Sequence, residues 1–251
     1  PPGAVLSLVR DVAGVLGLGP AFEDDALANV DRNDVEAVFD AAFVERLGER
    51  LAGALRLNGA VTPAALIEQV ISLPPKSRAL KVSGNKLVTP DGKPIWQQGM
   101  NVCGLEWKPE GDNPVWSIHR AIDEWTANVI RLPVMDTLWF GHGKGRITSN
   151  DPEAYRAIVD KAIKFAAARG AYIVFDLHRY LAPEENCVEF WKDAAVRYKN
   201  NPAVLFDLLN EPHDTTWEVW RNGGEIVTKG KEPKTIHSVG MQALVDAVRG
   251  T

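Results

Sequence analysis

Ala203-Val-Leu-Phe-Asp-Leu-Leu-Asn-Glu-Pro-His213 is the stretch whose reading decides the fold. Five of the six residues from Val204 to Leu209 are apolar, which suits a strand covered on both faces in a parallel sheet. Pro212 has no N–H to give to a ladder, so the strand is expected to stop where the acid appears. Asn210 and Glu211 then lie at the C-terminal end of a parallel strand, the end at which α/β barrels carry their chemistry.

Three earlier runs share this form. Pro94-Ile-Trp-Gln-Gln-Gly-Met-Asn-Val-Cys-Gly-Leu-Glu-Trp107 ends near Asn101 and Trp107. Ala127-Asn-Val-Ile-Arg-Leu-Pro133 carries Arg131. Ala171-Tyr-Ile-Val-Phe-Asp-Leu-His178 ends in Asp176 and His178. Between them fall helical patterns. One covers about residues 117–126, through Ile118, Ile122 and Trp125. The clearest starts at Asp151-Pro152, presents Tyr155, Ile158, Val159, Ala162, Ile163 and Ala166, and stops at Gly170. Another covers about 186–199, and a last is expected over 235–249 before Gly250. Ser83-Gly-Asn and Pro90-Asp-Gly punctuate residues 80–94 as a hairpin.

The pattern predicts four βα units. A closed (β/α)8 TIM barrel needs eight, in ~250 residues. An open half would leave two bare strand edges, which invites aggregation. The remaining four units are therefore expected from a second polypeptide or a missing C-terminal half. Residues 1–75 read differently, as three helices forming a small bundle or an arm on the barrel. Asn33 or Asp34 caps a stripe of Val35, Phe39, Phe43, Leu47, Leu51 and Leu55. Thr62-Pro63 opens the next helix, and Pro74-Pro75 breaks it. Nothing in this region carries chemistry.

Composition narrows the partners. The net charge of −5, without a Lys/Arg block, argues against nucleic acid. No run of ~18 apolar residues is present to span a membrane. Two cysteines, Cys103 and Cys187, make no disulfide framework and are expected as free thiols. The five His show no ligand spacing, so no metal or other cofactor is expected. Gly141-His-Gly-Lys-Gly145 fits no phosphate-loop spacing and reads as a loop.

The four segments, in this order and spacing, resemble the first half of a glycoside hydrolase family 5 enzyme, over about residues 79–251. The resemblance implies a retaining (β/α)8-barrel glycosidase that uses two carboxyl groups. Glu211 suits the acid/base, with burial and the second carboxylate expected to keep it protonated. The nucleophile implied is a Glu on the seventh strand, outside this chain. Asn210 offers its amide to the sugar 2-hydroxyl. Arg131, a cation in an apolar strand, requires a carboxylate partner; the resemblance has it hold the nucleophile ionised. His178 is expected near the acid/base or the sugar, and Asp176 as a structural group.

Sugars stack on aromatic rings, which makes Trp107, Tyr180, Trp139 and Trp217 candidate platforms beside Asn101. The segment Gly104-Leu-Glu-Trp107 is similar to one that supplies such a platform in some bacterial cellulases, where a His stands in place of Cys103. The expected activity is endo-hydrolysis of β-1,4-glucan oligosaccharide or polysaccharide. The alternatives are β-mannanase, β-1,3/1,6-glucanase, or a non-catalytic carbohydrate-binding barrel. Secretion or a cell-surface location is expected from a polymeric substrate.

Overall fold

A computed structural model of the chain describes residues 63–143, 149–229 and 232–251. The helices expected before residue 63, with their stripe from Val35 to Leu55, lie outside the described residues, as does the glycine-rich loop from Lys144 onward.

The first described element is helix α1 (Pro63–Ile71). Its opening proline lacks only an N–H that no helix uses in its first turn. Val70 is buried in the common core, and Glu68 pairs with Lys161 at 2.6 Å. The expected hairpin follows as β1 (Lys81–Ser83) and β2 (Lys86–Val88), antiparallel with Ser83 opposite Lys86. Gly84 supplies the left-handed turn residue at φ +60°.

The sheet is parallel throughout, in the order β3 (Gly99–Asn101), β4 (Val129–Val134), β5 (Tyr172–Leu177), β6 (Val204–Asp207). Helix α2 (Pro114–Asp123) joins β3 to β4. The short α3 (Asp136–Trp139) and the long α4 (Pro152–Ala168) join β4 to β5, and α5 (Glu185–Tyr198) joins β5 to β6. Asp151 caps α4, its carboxylate accepting from the N–H groups of Glu153 and Ala154.

Two expectations need correction. The run from Val204 is not covered on both faces: β6 is half-buried along its length, because it has no neighbour on its outer side among the described residues. The last helix does not begin at Thr235. Thr235–Ser238 is strand β8, paired with β7 (Gly224–Val227) behind helix α6 (Trp217–Asn222), and helix α7 spans Gly240–Arg249. Gly240 separates the two: it sits at φ +78°, and a Cβ there would meet the Gly223 nitrogen at 2.4 Å. A helix running straight through 235–249 is thus barred by the close approach of two backbones.

The core lies between the sheet and its helices. Phe175 of β5 is at its centre, fully buried, with the rings of Trp139, Phe190, Trp191 and Tyr198 at 5.1–6.0 Å. Alternation then sends Val174 and Asp176 to the other face of the sheet. Both cysteines are free thiols, Cys103 exposed and Cys187 buried. Burial pushes the Cys187 thiol up to about 11. No described helix is long and apolar enough to cross a membrane.

Two measurements check this packing. Phe175→Ala is expected to cost about 3–5 kcal/mol in urea unfolding, the usual range for a deleted core aromatic. Cys187, neutral below about 11, is expected to resist a maleimide at pH 8 in the folded protein and to react once denatured.

Candidate active site

The ladder register decides which strand-end groups meet. Asn101 is opposite Arg131, and Arg131 is opposite Val174. One layer further on, Pro133, Asp176 and Asp207 are in line across three strands. Residues in line across a sheet project from the same face. The face away from the helices therefore carries a cation in one layer and two carboxyls in the next.

Arg131 ties these layers together. Its Nη1 donates to Asn101 Oδ1 at 3.0 Å, and its Nη2 to Asn210 Oδ1 at 2.7 Å and Asp176 Oδ2 at 2.9 Å. Nε reaches Asp207 Oδ2 only at 3.4 Å. The carboxylate that a strand cation requires is thus Asp176, which is fully buried. The same Asp176 Oδ2 is 2.8 Å from His178 Nδ1. A carboxylate beside Nδ1 favours the tautomer with its proton there, leaving Nε2 for the site. The His178 ring meets Tyr180 edge-on at 5.4 Å.

Asn210 is oriented by these contacts. Its oxygen is taken by Arg131, so its amide nitrogen faces away from the guanidinium. That nitrogen is buried and has no partner among the described residues. Buried donors are ordinarily satisfied, and one left open beside a candidate acid is a place for a ligand acceptor. The backbone N–H of Asn210 donates to Leu177 O at 3.0 Å, continuing the β5–β6 contact past the last ladder pair.

Glu211 follows in a left-handed conformation, φ 41°, which costs a non-glycine residue about 1–3 kcal/mol and persists only where the surroundings impose it. The imposing contacts are a parallel bridge from Pro212 to Leu181 and the bond from His213 N to Leu181 O at 3.0 Å. Leu181 is itself left-handed, at φ 72°. The burial expected around Glu211 is not supplied by the described residues, because its side chain is exposed. Tyr180 shares this end of the sheet: burial raises its phenol, and the charges of Glu211, Glu106 and Asp176 raise it further.

The aromatic candidates divide. Trp107 and Tyr180 are each 45% exposed at the strand-end loops, with surface free for a ring-stacked ligand. Trp217, 83% exposed, opens α6 with its ring edge-on to Trp220 at 5.5 Å, apart from the hydrogen-bonded group around Arg131. Trp139 is a correction. It is fully buried, donates from Nε1 to Asp193 at 2.7 Å, and lies over Phe175. Helix α3 turns the chain straight back onto the core after β4, so this ring packs inside rather than facing a sugar.

Three residues take part in ways the sequence did not indicate. Tyr155 accepts from Met135 N at 3.1 Å and donates to Leu105 O at 2.6 Å, joining the loops after β3 and β4. Glu106 is buried and accepts from Gly104 N at 2.6 Å, so it shapes its own loop. Asp207 faces Arg131 and Asp176. Its one signal was being the only polar residue in the run from Val204 to Leu209. No cluster of His, Cys, Asp and Glu suited to a metal occurs among the described residues.

A parallel sheet with a cation, a histidine and an Asn-Glu pair gathered at its strand ends is the arrangement of a glycoside hydrolase barrel. The cellulase model of glycosyl hydrolase family 5 matches residues 88–251. The chain belongs to this family, and its sheet is four βα units of a (β/α)8 barrel. Endoglucanase A of Butyrivibrio fibrisolvens is 30% identical over 158 residues, covering 59% of this chain and 35% of that protein. Cellulase CelDZ1 of a Thermoanaerobacterium species is 28% identical over 187 residues, covering 69% and 46%. The β-glucanase of Saccharophagus degradans, solved with cellotetraose, superimposes with a TM-score of 0.51 at 21% identity, covering 72% and 53%. That likeness shows the fold. The chain spans less than half the length of these two curated relatives.

Removing the cation tests the geometry. Arg131→Leu strands the buried Asp176 carboxylate and is expected to cost about 3 kcal/mol in chemical unfolding, the range for a broken buried pair. Adding Asp176→Leu is expected to recover part of that loss in a double-mutant cycle.

Proposed function

We propose that the protein is a retaining endo-β-glucanase that hydrolyses β-1,4-glucan, with Glu211 as the acid/base. The observation that carries this reading is the open amide of Asn210. It adjoins Glu211, is buried, and is oriented by Arg131. A hydroxyl on the ring being cleaved satisfies it, and that bond tightens as positive charge develops on the sugar.

The steps follow from the two-carboxylate scheme. Glu211 gives its proton to the glycosidic oxygen as the second carboxylate attacks the anomeric carbon, and the leaving sugar departs with that proton. A water then attacks the anomeric carbon of the glycosyl ester, Glu211 takes one of its protons, and the second carboxylate is released. That nucleophile is proposed to be a Glu on the seventh strand of the completed barrel, outside the strands described here, ~5–5.5 Å from Glu211. The half of the barrel that carries it would also cover Glu211. Arg131 offers the nucleophile positive potential, and His178, held by Asp176, presents Nε2 to the acid/base or the substrate. Trp107 and Tyr180, with Trp217 further out, offer faces for the glucan chain beside Asn101. No cofactor takes part in this scheme.

Glucan is favoured because the relatives named above are an endoglucanase and a cellulase, and the S. degradans protein was solved with cellotetraose. A polymer that cannot enter a cell also implies action outside it. Reducing-sugar release by the full-length protein from β-1,4-glucan, β-1,3-glucan and mannan tests the reading. β-1,4-Glucan is expected to be cleaved fastest, and Glu211→Gln to lower the rate about 10²–10⁴-fold. Release unaffected by Glu211→Gln, or none from any of the three, would overturn it.

A further inference from the structure

Asp207 has no role in the scheme above, yet it stands on the charged face beside Asp176, at the β6 edge of the described sheet. It is the ladder partner of Asp176, and the two carboxyls meet side by side. The guanidinium between them is already committed. Its short bonds go to Asn210 and Asp176, and only Nε at 3.4 Å is left for Asp207. Asp176 spends Oδ2 on Arg131 and His178, while its Oδ1 is buried with no donor among the described residues. Two ionised carboxylates would repel here, and one orphaned oxygen would stay unsatisfied. A single proton on Asp207 relieves both conditions.

We propose that Asp207 is a positioning residue that stays protonated in the folded protein and donates its O–H to Asp176. Arg131 then answers one full negative charge rather than two, and its Nη2 stays on Asn210. Burial raises the Asp207 carboxyl first and the Asp176 charge raises it further, against the pull of Arg131. Asp176 on the adjacent β5 and Arg131 on β4, one strand further in, are the charged groups that act on it. His178 connects to them through Asp176, and Glu211 follows four residues along the same segment. The residues acted upon are Asn210 and, through it, the amide that awaits a ligand. The kinetic consequence rests on the hydrolase reading above; the proton itself does not.

Two experiments on the full-length protein decide the matter. In the first, aspartate carboxyl ¹³C resonances are followed with pH, and Asp207 is assigned by its disappearance in Asp207→Asn. The expected result is a carboxyl that still carries its proton at the pH of the kinetic assay; one already ionised at that pH overturns the proposal. In the second, steady-state kinetics on β-1,4-glucan compare Asp207→Asn with Asp207→Ala. The amide imitates a protonated carboxyl, so Asp207→Asn is expected to keep kcat within about threefold, while Asp207→Ala lowers kcat at least tenfold with KM little changed. Equal losses in both variants, or no loss in either, count against it. If the wild-type protein cleaves no glucan, the hydrolase reading fails, and the carboxyl titration alone decides the proton. The same titration stands if Asp207→Ala does not fold.

Discussion

A guanidinium within a strand flanked by neighbours on both sides has few arrangements open to it. Its charge needs an anion, its planar N–H groups need acceptors in fixed directions, and both must come from neighbouring strands. Arg131 meets these demands with Asn101 on β3, Asp176 on β5, and Asp207 and Asn210 along the fourth segment. Every strand of the parallel sheet is thereby joined at one side chain. The positions of His178 and the Asn210 amide are consequences: the first is held through Asp176 and the second through its oxygen. The candidate site is a polar network laid across a ladder whose register had already brought its members into line.

Backbone strain completes what the network begins. Glu211 and Leu181 both adopt left-handed conformations, and the bridge between their loops holds them there. The stability spent on these two turns comes from the layer beneath, where Phe175 and the rings of α3 and α5 fill the space between sheet and helices. A rigid, apolar face and a polar, strained face on the same four strands are what a barrel provides: the first fixes geometry, and the second uses it.

The four strands, the hairpin before them and most of the helices were legible because their signals are local. Pro63, the capping Asp151 and the left-handed Gly84 each act within a few residues of their own position. The candidate acid, its amide neighbour, the strand cation and the strand-end histidine were legible because each is a polar residue interrupting an apolar run. Trp139 was misread because its loop position was inferred from the strand before it, whereas its burial depends on α3 folding back over Phe175. The helix expected from Thr235 failed at Gly240, whose backbone touches Gly223, a contact between residues distant in sequence.

The sequence by itself determined the order of βα units, the strand ends that hold the candidate site and the family they belong to, since periodicity, turn residues and motif spacing are written in consecutive residues. Tertiary structure alone decided the partners. Which carboxylate answers Arg131, which atom of Asn210 remains open, and that Asp207 stands beside Asp176 all depend on strand register. Register is set by how whole segments pack across the sheet, which no single segment encodes.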